Sequence, residues 1–307
     1  MEDFLFIGLG VVLLYSGGEV LVGSVSRMAT AFGVSPLVIG LTVVAFGTSS
    51  PEIAVAVGAA LSGQPDIALG NVLGSNVANL GLILGLSAVI APVEAHSSFL
   101  RRDLPFMLGV AVLLLVAGWI GFDRRLGVVL VTLLAAYLWV LFRAGGAADL
   151  EDAEEGSAAD RWVGTAGAVL GIGLLVFGAD VLVDSAVEVA RGLGVSERII
   201  GLTLVAFGTS LPELSGCLVA AAHNKGDLII GNIAGSNIFN TLLVLPAAIF
   251  LLPIVADASD LFDVGVVIGF STVACVLFFR NGRLSRRGGA LLLSAYVVYV
   301  VYLFTVG

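Results

Sequence analysis

The sequence carries the same thirteen-residue motif twice, and this repetition limits the possible folds more than any other feature. Residues 40–52 read GLTVVAFGTSSPE and residues 201–213 read GLTLVAFGTSLPE, so eleven of thirteen positions are identical. A second motif, GNVLGSNVAN at 70–79, returns as GNIAGSNIFN at 231–240 with the same offset of 161 positions. Self-similarity at one constant offset indicates a duplicated structural unit.

The composition indicates that this unit lies in a membrane. Of the 307 residues, 59% are hydrophobic and only 12% are charged, whereas roughly a quarter are charged in a soluble domain. The mean hydropathy is +1.10. The net charge of −9 and the two cysteines, which lie in apolar runs, argue against nucleic-acid binding and against a disulfide framework or zinc site. Apolar runs predict ten membrane spans, at 4–26, 37–62, 67–91, 103–121, 126–143, 163–190, 198–222, 228–252, 262–279 and 287–306.

The acidic stretch between the fifth and sixth spans divides the chain in two. We predict a first five-helix repeat at 1–143, an acidic cytoplasmic linker at 144–161 and a second repeat at 162–307. A unit with an odd number of spans enters the membrane upside down in its second copy. The predicted fold class is therefore an all-α polytopic membrane protein with ten transmembrane helices in two inverted five-helix repeats. Secondary transporters of this architecture bind their substrates near the midplane.

The distribution of basic residues predicts the orientation. The loops on the side opposite the termini carry ten of the 14 Lys and Arg residues, and the loops on the terminal side carry four. Cytoplasmic loops are enriched in Lys and Arg. We therefore predict a multi-pass protein of the cell membrane with both termini on the extracellular or periplasmic side.

Each copy of the first motif places a proline and a glutamate within an apolar span. Pro51 and Pro212 lack an N–H and disfavour helical geometry in the preceding residue, so each helix should kink or unwind there. Unwound backbone at this depth lines cavities, and its carbonyl oxygens suit Na⁺ or Ca²⁺. If the repeats face each other, Glu52 and Glu213 meet and need cations to offset their repulsion. A packing kink and a proton-sharing glutamate pair also fit these residues.

Hydroxyl and amide side chains accompany the two glutamates. Residues three or four apart share a helix face, and polar groups within apolar spans usually line a pathway. Taken alone, serine and asparagine also fit hydrogen bonds between packed helices. The side chains concerned are Thr48, Ser49, Ser75 and Asn79 in the first repeat, and Thr209, Ser210, Ser236 and Asn240 in the second.

On these motifs, the chain resembles the sodium/calcium exchanger family of the cation/Ca²⁺ exchanger superfamily, in its prokaryotic ten-helix type. GTSSPE with GNVLGSNVAN carries the resemblance in the first half, and GTSLPE with GNIAGSNIFN carries it in the second. The resemblance implies that spans two, three, seven and eight form an ion-binding core. It also implies that spans one and six slide against this core to alternate access.

The resemblance further implies a set of metal ligands. Ca²⁺ would be held by Glu52 and Glu213 with the carbonyl groups of Thr48 and Thr209. Asn79 and Asn240 would line the central position. Relatives often carry Asp at one of these two positions, whereas this chain has Asn at both. This difference argues against K⁺ co-transport. The Na⁺ sites would use the Ca²⁺ ligands together with Ser49, Ser210, Ser75, Ser236 and the carbonyl groups of Ala45 and Ala206.

The expected function is secondary active antiport of Na⁺ against Ca²⁺ by alternating access, with Ca²⁺ extruded. We expect no cofactor, no enzymatic activity and no obligate protein partner; membrane lipid and the transported ions Na⁺ and Ca²⁺ are the expected partners. Two alternatives remain open. One is an H⁺/Ca²⁺ antiporter that uses the same two glutamates, and the other is a cation channel.

Overall fold

The structure is a computed structural model, which describes residues 2–145, 157–194, 206–255 and 258–306. Almost all of these residues are helical. Two short strands, β1 (Val93–Glu94) and β2 (Arg283–Leu284), pair in antiparallel fashion. In chain order the helices are α1 (Glu2–Phe32), α2 (Pro36–Thr48), α3 (Ser50–Leu61), α4 (Pro65–Ile90), α5 (Leu104–Ile120), α6 (Arg124–Gly145), α7 (Ala158–Gly192), α8 (Ala206–Gly208), α9 (Leu211–Ala222), α10 (Gly226–Leu251), α11 (Ala258–Asn281) and α12 (Arg286–Val306).

These helices form the all-α polytopic membrane fold expected from the sequence. Among the described residues, seven helices are long and apolar enough to cross a bilayer, and α2 with α3 forms an eighth, bent span. The predicted span 103–121 corresponds to α5, which has 17 residues and continues a π-helical turn at Phe99–Asp103. The predicted span 198–222 is represented by α8 and α9, because 195–205 lie outside the described residues. Most of the predicted linker, 146–156, also lies outside them.

The predicted helix break beside Pro51 is confirmed. Helix α2 ends at Thr48 and α3 begins at Ser50, and the two axes are bent by 43°. Between them, Ser49 has φ −81° and ψ 9°, which is not helical. Pro51 causes the break because its ring disfavours helical geometry in the residue before it and removes one donor from the helix. The break places a new helix N-terminus inside the membrane span.

The second repeat has the same local geometry. Helix α9 begins at Leu211 with Pro212 in its first turn, and the preceding Ser210 has φ −89° and ψ 3°. Helices α4 and α10 also match each other, because a π-helical turn interrupts them at Asn79–Ile83 and Asn240–Val244, respectively. Such turns are rare in proteins, and those that occur often lie at functional sites. Each turn begins at an asparagine, Asn79 or Asn240, that is expected from the sequence motif to line the site.

Helices α4 and α10 form the centre of the protein, and α1 and α7 lie beside it. In the most apolar window of each helix, 72% of α4 and 83% of α10 is buried inside the protein, against 33% of α1 and 28% of α7. The α1–α7 pair is closely packed: a Cβ on Gly10 would lie 2.9 Å from the Gly178 carbonyl oxygen, and one on Gly17 would lie 2.9 Å from that of Gly171. Small residues allow this approach between membrane helices. The offset of 161 positions relates Gly10 to Gly171 and Gly17 to Gly178, so each contact is the counterpart of the other in the two repeats.

Candidate functional site

Two glutamates lie in the interior, one in the first turn of α3 and one in the first turn of α9. Glu52 and Glu213 each expose 1% of their surface. The N–H groups of a first helical turn and the positive end of the helix dipole favour negative charge there. In the part of the chain that the structure describes, no basic side chain forms an ion pair with either glutamate.

Serine hydroxyls donate hydrogen bonds to both carboxylates. Ser49 Oγ lies 3.1 Å from Glu213 Oε1, and Ser236 Oγ lies 3.4 Å from the same oxygen. Ser75 Oγ lies 3.5 Å from Glu52 Oε1. The Ser49 contact joins the two repeats, so a hydroxyl of the first repeat contacts the carboxylate of the second. In each glutamate the other oxygen, Oε2, is buried without a hydrogen-bond partner among the described residues.

Four asparagines form two equivalent contacts between the repeats. Asn79 Nδ2 donates to Asn237 Oδ1 across 2.9 Å, and Asn240 Nδ2 donates to Asn76 Oδ1 across 3.2 Å. The offset of 161 positions exchanges these two contacts, as expected for two repeats that face each other about a pseudo-twofold axis. Each amide thereby commits its nitrogen and leaves its oxygen available. Within the described ranges, Asn79 Oδ1 and Asn240 Oδ1 are buried and have no hydrogen-bond partner.

The threonines differ between the repeats. Thr48 Oγ1 lies 3.1 Å from both the Val44 carbonyl oxygen and Asn232 Oδ1. Thr209 is 8% exposed, and its Oγ1 has no hydrogen-bond partner among the residues described. Within the described ranges the threonine hydroxyl is thus engaged in the first repeat only, and residue 205, the counterpart of Val44, lies outside these ranges.

The remaining predicted ligands lie next to these residues in the chain. Ser210 is buried at 2% exposure, at the break before α9. The Ala45 carbonyl oxygen accepts a hydrogen bond from the Ser49 N–H at 3.0 Å, which leaves its second lone pair available. Ala206 is the first residue of α8 and directly follows the residues outside the described ranges.

The unpartnered oxygens are concentrated at the predicted site. Of the seven buried side-chain oxygens that lack a partner in the described residues, five belong to Glu52, Glu213, Asn79, Asn240 and Thr209. Buried polar atoms are normally satisfied, because an unmade hydrogen bond is costly. Carboxylate, amide and hydroxyl oxygens are the donors that hard cations prefer. The arrangement is therefore suited to hold cations of the Na⁺ or Ca²⁺ type.

Sequence reasoning missed three asparagines that shape this site. Asn76 and Asn237 orient the amides of Asn240 and Asn79, and Asn232 accepts the Thr48 hydroxyl. All three lie within the repeated GNxxGSN pattern. Their identity in both copies was the available signal, but nothing in the spacing distinguishes an amide that orients a ligand from one that only joins helices.

Two cavities reach the site. The larger has a volume of about 730 Å³ and is lined by Ser50, Pro51 and Thr209 on one side and by α7 on the other. The smaller has about 480 Å³, is mainly apolar, and reaches Ser75 and Ser210 from beside α12. The site is thus deeply buried but lies next to open space.

Comparison with known proteins gives one consistent result. The family model described as "Sodium/calcium exchanger protein" matches residues 3–143 and 163–305. The chain is 33% identical to the sodium/calcium exchanger MaX1 of Methanosarcina acetivorans, over 98% of each protein. It is 36% identical to an inner membrane protein of Escherichia coli, over 96% of this chain and 95% of that protein.

A solved structure extends the similarity to three dimensions. The sodium-calcium exchanger NCX_Mj, soaked with 10 mM Na⁺ and zero Ca²⁺, superposes with a TM-score of 0.89 at 33% sequence identity. The alignment covers 99% of both chains. Both predicted repeats are therefore included in the match.

Proposed function

The chain belongs to the sodium/calcium exchanger family, and on that premise we propose that it is a Na⁺/Ca²⁺ antiporter that extrudes Ca²⁺. Membership supports exchange of cations across a membrane; the choice of Na⁺ as the driving ion and the direction are our proposals. One observation carries the cation site, namely the cluster of buried oxygens around two carboxylates that, in the described residues, lack hydrogen-bond partners and a basic counter-ion. The choice of Na⁺ follows the sodium/calcium exchangers that the chain resembles. Because this cluster offers charge and oxygen ligands but no nucleophile–base pair, we propose transport without enzymatic activity.

We further propose the following ligands. Glu52 and Glu213 neutralise one Ca²⁺ with their two negative charges, and the carbonyl groups of Thr48 and Thr209 complete its coordination. The amide oxygens of Asn79 and Asn240 line the centre between them. Na⁺ uses these groups together with the hydroxyls of Ser49, Ser75, Ser210 and Ser236 and the carbonyl groups of Ala45 and Ala206.

The shared ligands explain why one ion is exchanged for another. Two Na⁺ ions or one Ca²⁺ ion offset the same two carboxylates, so binding of one species displaces the other. Buried carboxylates without cations are unfavourable in a low-dielectric interior. The empty site therefore resists occlusion, and the protein returns across the cycle only when it is loaded.

The fold suggests how access alternates. The glycine contacts join α1 and α7 into one unit, and we propose that this unit slides against the core of α2–α4 and α8–α10. Following the distribution of basic residues, we propose that both termini and the C-terminal end of α7 lie on the extracellular or periplasmic side, with the acidic linker in the cytoplasm. In that orientation the 730 Å³ cavity opens to the outside.

Radiocalcium uptake into Na⁺-loaded proteoliposomes, diluted into buffer free of Na⁺ and K⁺, tests the proposal. We expect uptake that requires internal Na⁺ and is indifferent to an imposed pH gradient. Uptake that follows the pH gradient without Na⁺ would instead identify an H⁺/Ca²⁺ antiporter. Currents without any counter-ion would identify a channel.

A matched pair of variants tests the site. Glu213→Gln keeps the shape of the side chain but removes its charge, so Ca²⁺ uptake should be lost while the thermal unfolding midpoint is retained. Glu94→Gln makes the same change at an exposed carboxylate in β1 and should transport normally. Normal uptake by Glu213→Gln would refute the assignment of the site.

A further inference from the structure

Three carboxylates follow one face of α7 along the larger cavity. Asp180, Asp184 and Glu188 are spaced by four residues, are all exposed, and all line the 730 Å³ cavity. Charged side chains within a membrane span are costly unless they face water or a partner. Their placement therefore shows that the wall of this cavity is acidic along about two helical turns.

The acidic face is continuous with the candidate ion site. Thr209 lines the same cavity, although it is 8% exposed, and its Oγ1 has no hydrogen-bond partner among the described residues. Packing also brings the two regions together, because a Cβ on Gly208 would lie 2.6 Å from a methyl group of Val183, between Asp180 and Asp184. A buried hydroxyl oxygen next to the candidate ion site, without a partner in the described part of the chain, thus lies on the cavity wall beside the carboxylates.

The three carboxylates are not equivalent. Glu188 Oε1 lies 2.6 Å from Arg191 Nη1, so the charge at the outer end of the series is offset. Within the described ranges, Asp180 and Asp184 have no basic partner. The uncompensated negative charge is therefore at the two positions nearer to the candidate site.

The first repeat does not reproduce this surface. The positions of α1 that correspond to Asp180, Asp184 and Glu188 hold Glu19, Gly23 and Arg27. In a state that opens to the other side of the membrane, the repeat symmetry would form the cavity against α1 instead of α7. That cavity would lack two of the three carboxylates and would carry a basic residue. The series of three carboxylates is therefore present on α7 and absent from the equivalent positions of α1.

We propose that Asp180 and Asp184 form a recruiting surface for divalent cations, which raises the Ca²⁺ concentration at the entrance of the site from one side of the membrane. The inference rests on the proposed function for its transport readout. A cleft lined by charge of one sign concentrates counter-ions and raises their association rate. The factor by which the surface raises the local concentration of a divalent ion is the square of the factor for a monovalent ion. The reason is that the interaction energy is proportional to the charge of the ion.

The size of the effect follows from Coulomb's law. One unit charge at about 10 Å in a water-like medium changes the local concentration of a divalent cation about fourfold and of a monovalent cation about twofold. Salt screens such interactions, with a Debye length of about 3 Å at 1 M ionic strength. A recruiting surface is therefore expected to act at low ionic strength and to lose its effect at high ionic strength.

Transport kinetics test the proposal. For Asp184→Asn we expect the KM for Ca²⁺ to rise about fourfold at low ionic strength, with the rate at saturating Ca²⁺ retained. The effect should appear in only one of right-side-out and inside-out membrane vesicles, and choline chloride should abolish it. Asp66→Asn removes one charge from an exposed carboxylate that does not line the cavity, and should change nothing. An unchanged KM for Asp184→Asn, or an equal change in both vesicle types, would refute the recruiting role.

A second measurement does not require transport. Ala54 is exposed and lines the same cavity, so the thiol of the Ala54→Cys variant should react faster with a cationic than with an anionic thiosulfonate reagent. Adding Asp184→Asn should lower the ratio of the two rates about fourfold, since the reagents differ by two unit charges. A ratio that does not respond to Asp184→Asn would overturn the proposal even if Na⁺-driven uptake is observed. A lowered ratio would support it even if that uptake is absent.

Discussion

Replacing Asn237 by alanine should weaken Ca²⁺ binding, although its role in the structure is to position another side chain. Asn237 Oδ1 accepts a hydrogen bond from Asn79 Nδ2 at 2.9 Å, which leaves Asn79 Oδ1 buried and unpartnered in the described structure. Without this acceptor, the Asn79 amide can rotate and present its NH₂ group to the cation. A buried neutral hydrogen bond contributes about 0.5–1.5 kcal/mol. The KM for Ca²⁺ should accordingly rise about 2- to 12-fold.

A double-mutant cycle separates positioning from general damage. Radiocalcium uptake would be measured for the wild type, Asn237→Ala, Asn79→Ala and the double variant. If Asn237 acts through Asn79, its replacement should have no additional effect on KM once Asn79 is alanine. Independent, additive losses would refute this reasoning. Ser87→Ala removes another buried polar side chain of α4 that has no partner among the described residues, and should leave KM unchanged.

Further variants test the charge, the packing and the asymmetry of the structure. Asn240→Asp should add a third carboxylate and alter the competition of Na⁺ and protons with Ca²⁺; an identical competition profile would exclude Asn240 from the ligands. Gly171→Ala should slow uptake or lower the thermal unfolding midpoint, because the added Cβ would lie 2.8 Å from the backbone of α1. Gly173→Ala is the control: no atom lies within 4 Å of its added Cβ, so neither quantity should change. His223→Ser removes the 3.0 Å contact with Glu19, which we expect to stabilise the state with an open cavity. Its loss should lower the reactivity of the Ala54→Cys thiol about twofold. Unchanged reactivity would mean that the contact does not stabilise this state.

The backbone of the site could be predicted because its causes are local. Pro51 and Pro212 act on the residues immediately before them, so the break between α2 and α3 and the start of α9 follow from sequence alone. The burial of Glu52 and Glu213 could be inferred in the same way, from their position within apolar spans.

The orientation of the amides could not be predicted, because its cause lies in the other repeat. Asn79 is held by Asn237, 158 positions away, and Asn240 is held by Asn76, 164 positions away. Polar side chains on packed membrane helices commonly join the helices, and the sequence contains nothing that separates this use from ligand positioning. The contacts show that each amide joins the repeats through its nitrogen and, in the described residues, leaves its oxygen without a partner, which is the arrangement that ligand positioning would need.

The conformational state also lay beyond the sequence, and two matched carboxylates show why. Glu19 and Asp180 occupy equivalent positions in the repeats, so the sequence alone gives no reason to expect different surroundings for them. In the structure, Glu19 contacts His223 Nε2 at 3.0 Å, whereas Asp180 faces the cavity. The residue that corresponds to His223 in the first repeat is Ser62, whose shorter side chain has no imidazole to make the same contact with Asp180. If the repeats exchange environments during transport, the two end states are therefore unequal. Closing the cavity would break the Glu19–His223 contact and bring Asp180, which has no basic partner in the described residues, toward a serine. Under that condition, the difference between His223 beside Glu19 and Ser62 at the equivalent position would make one end state more stable than the other.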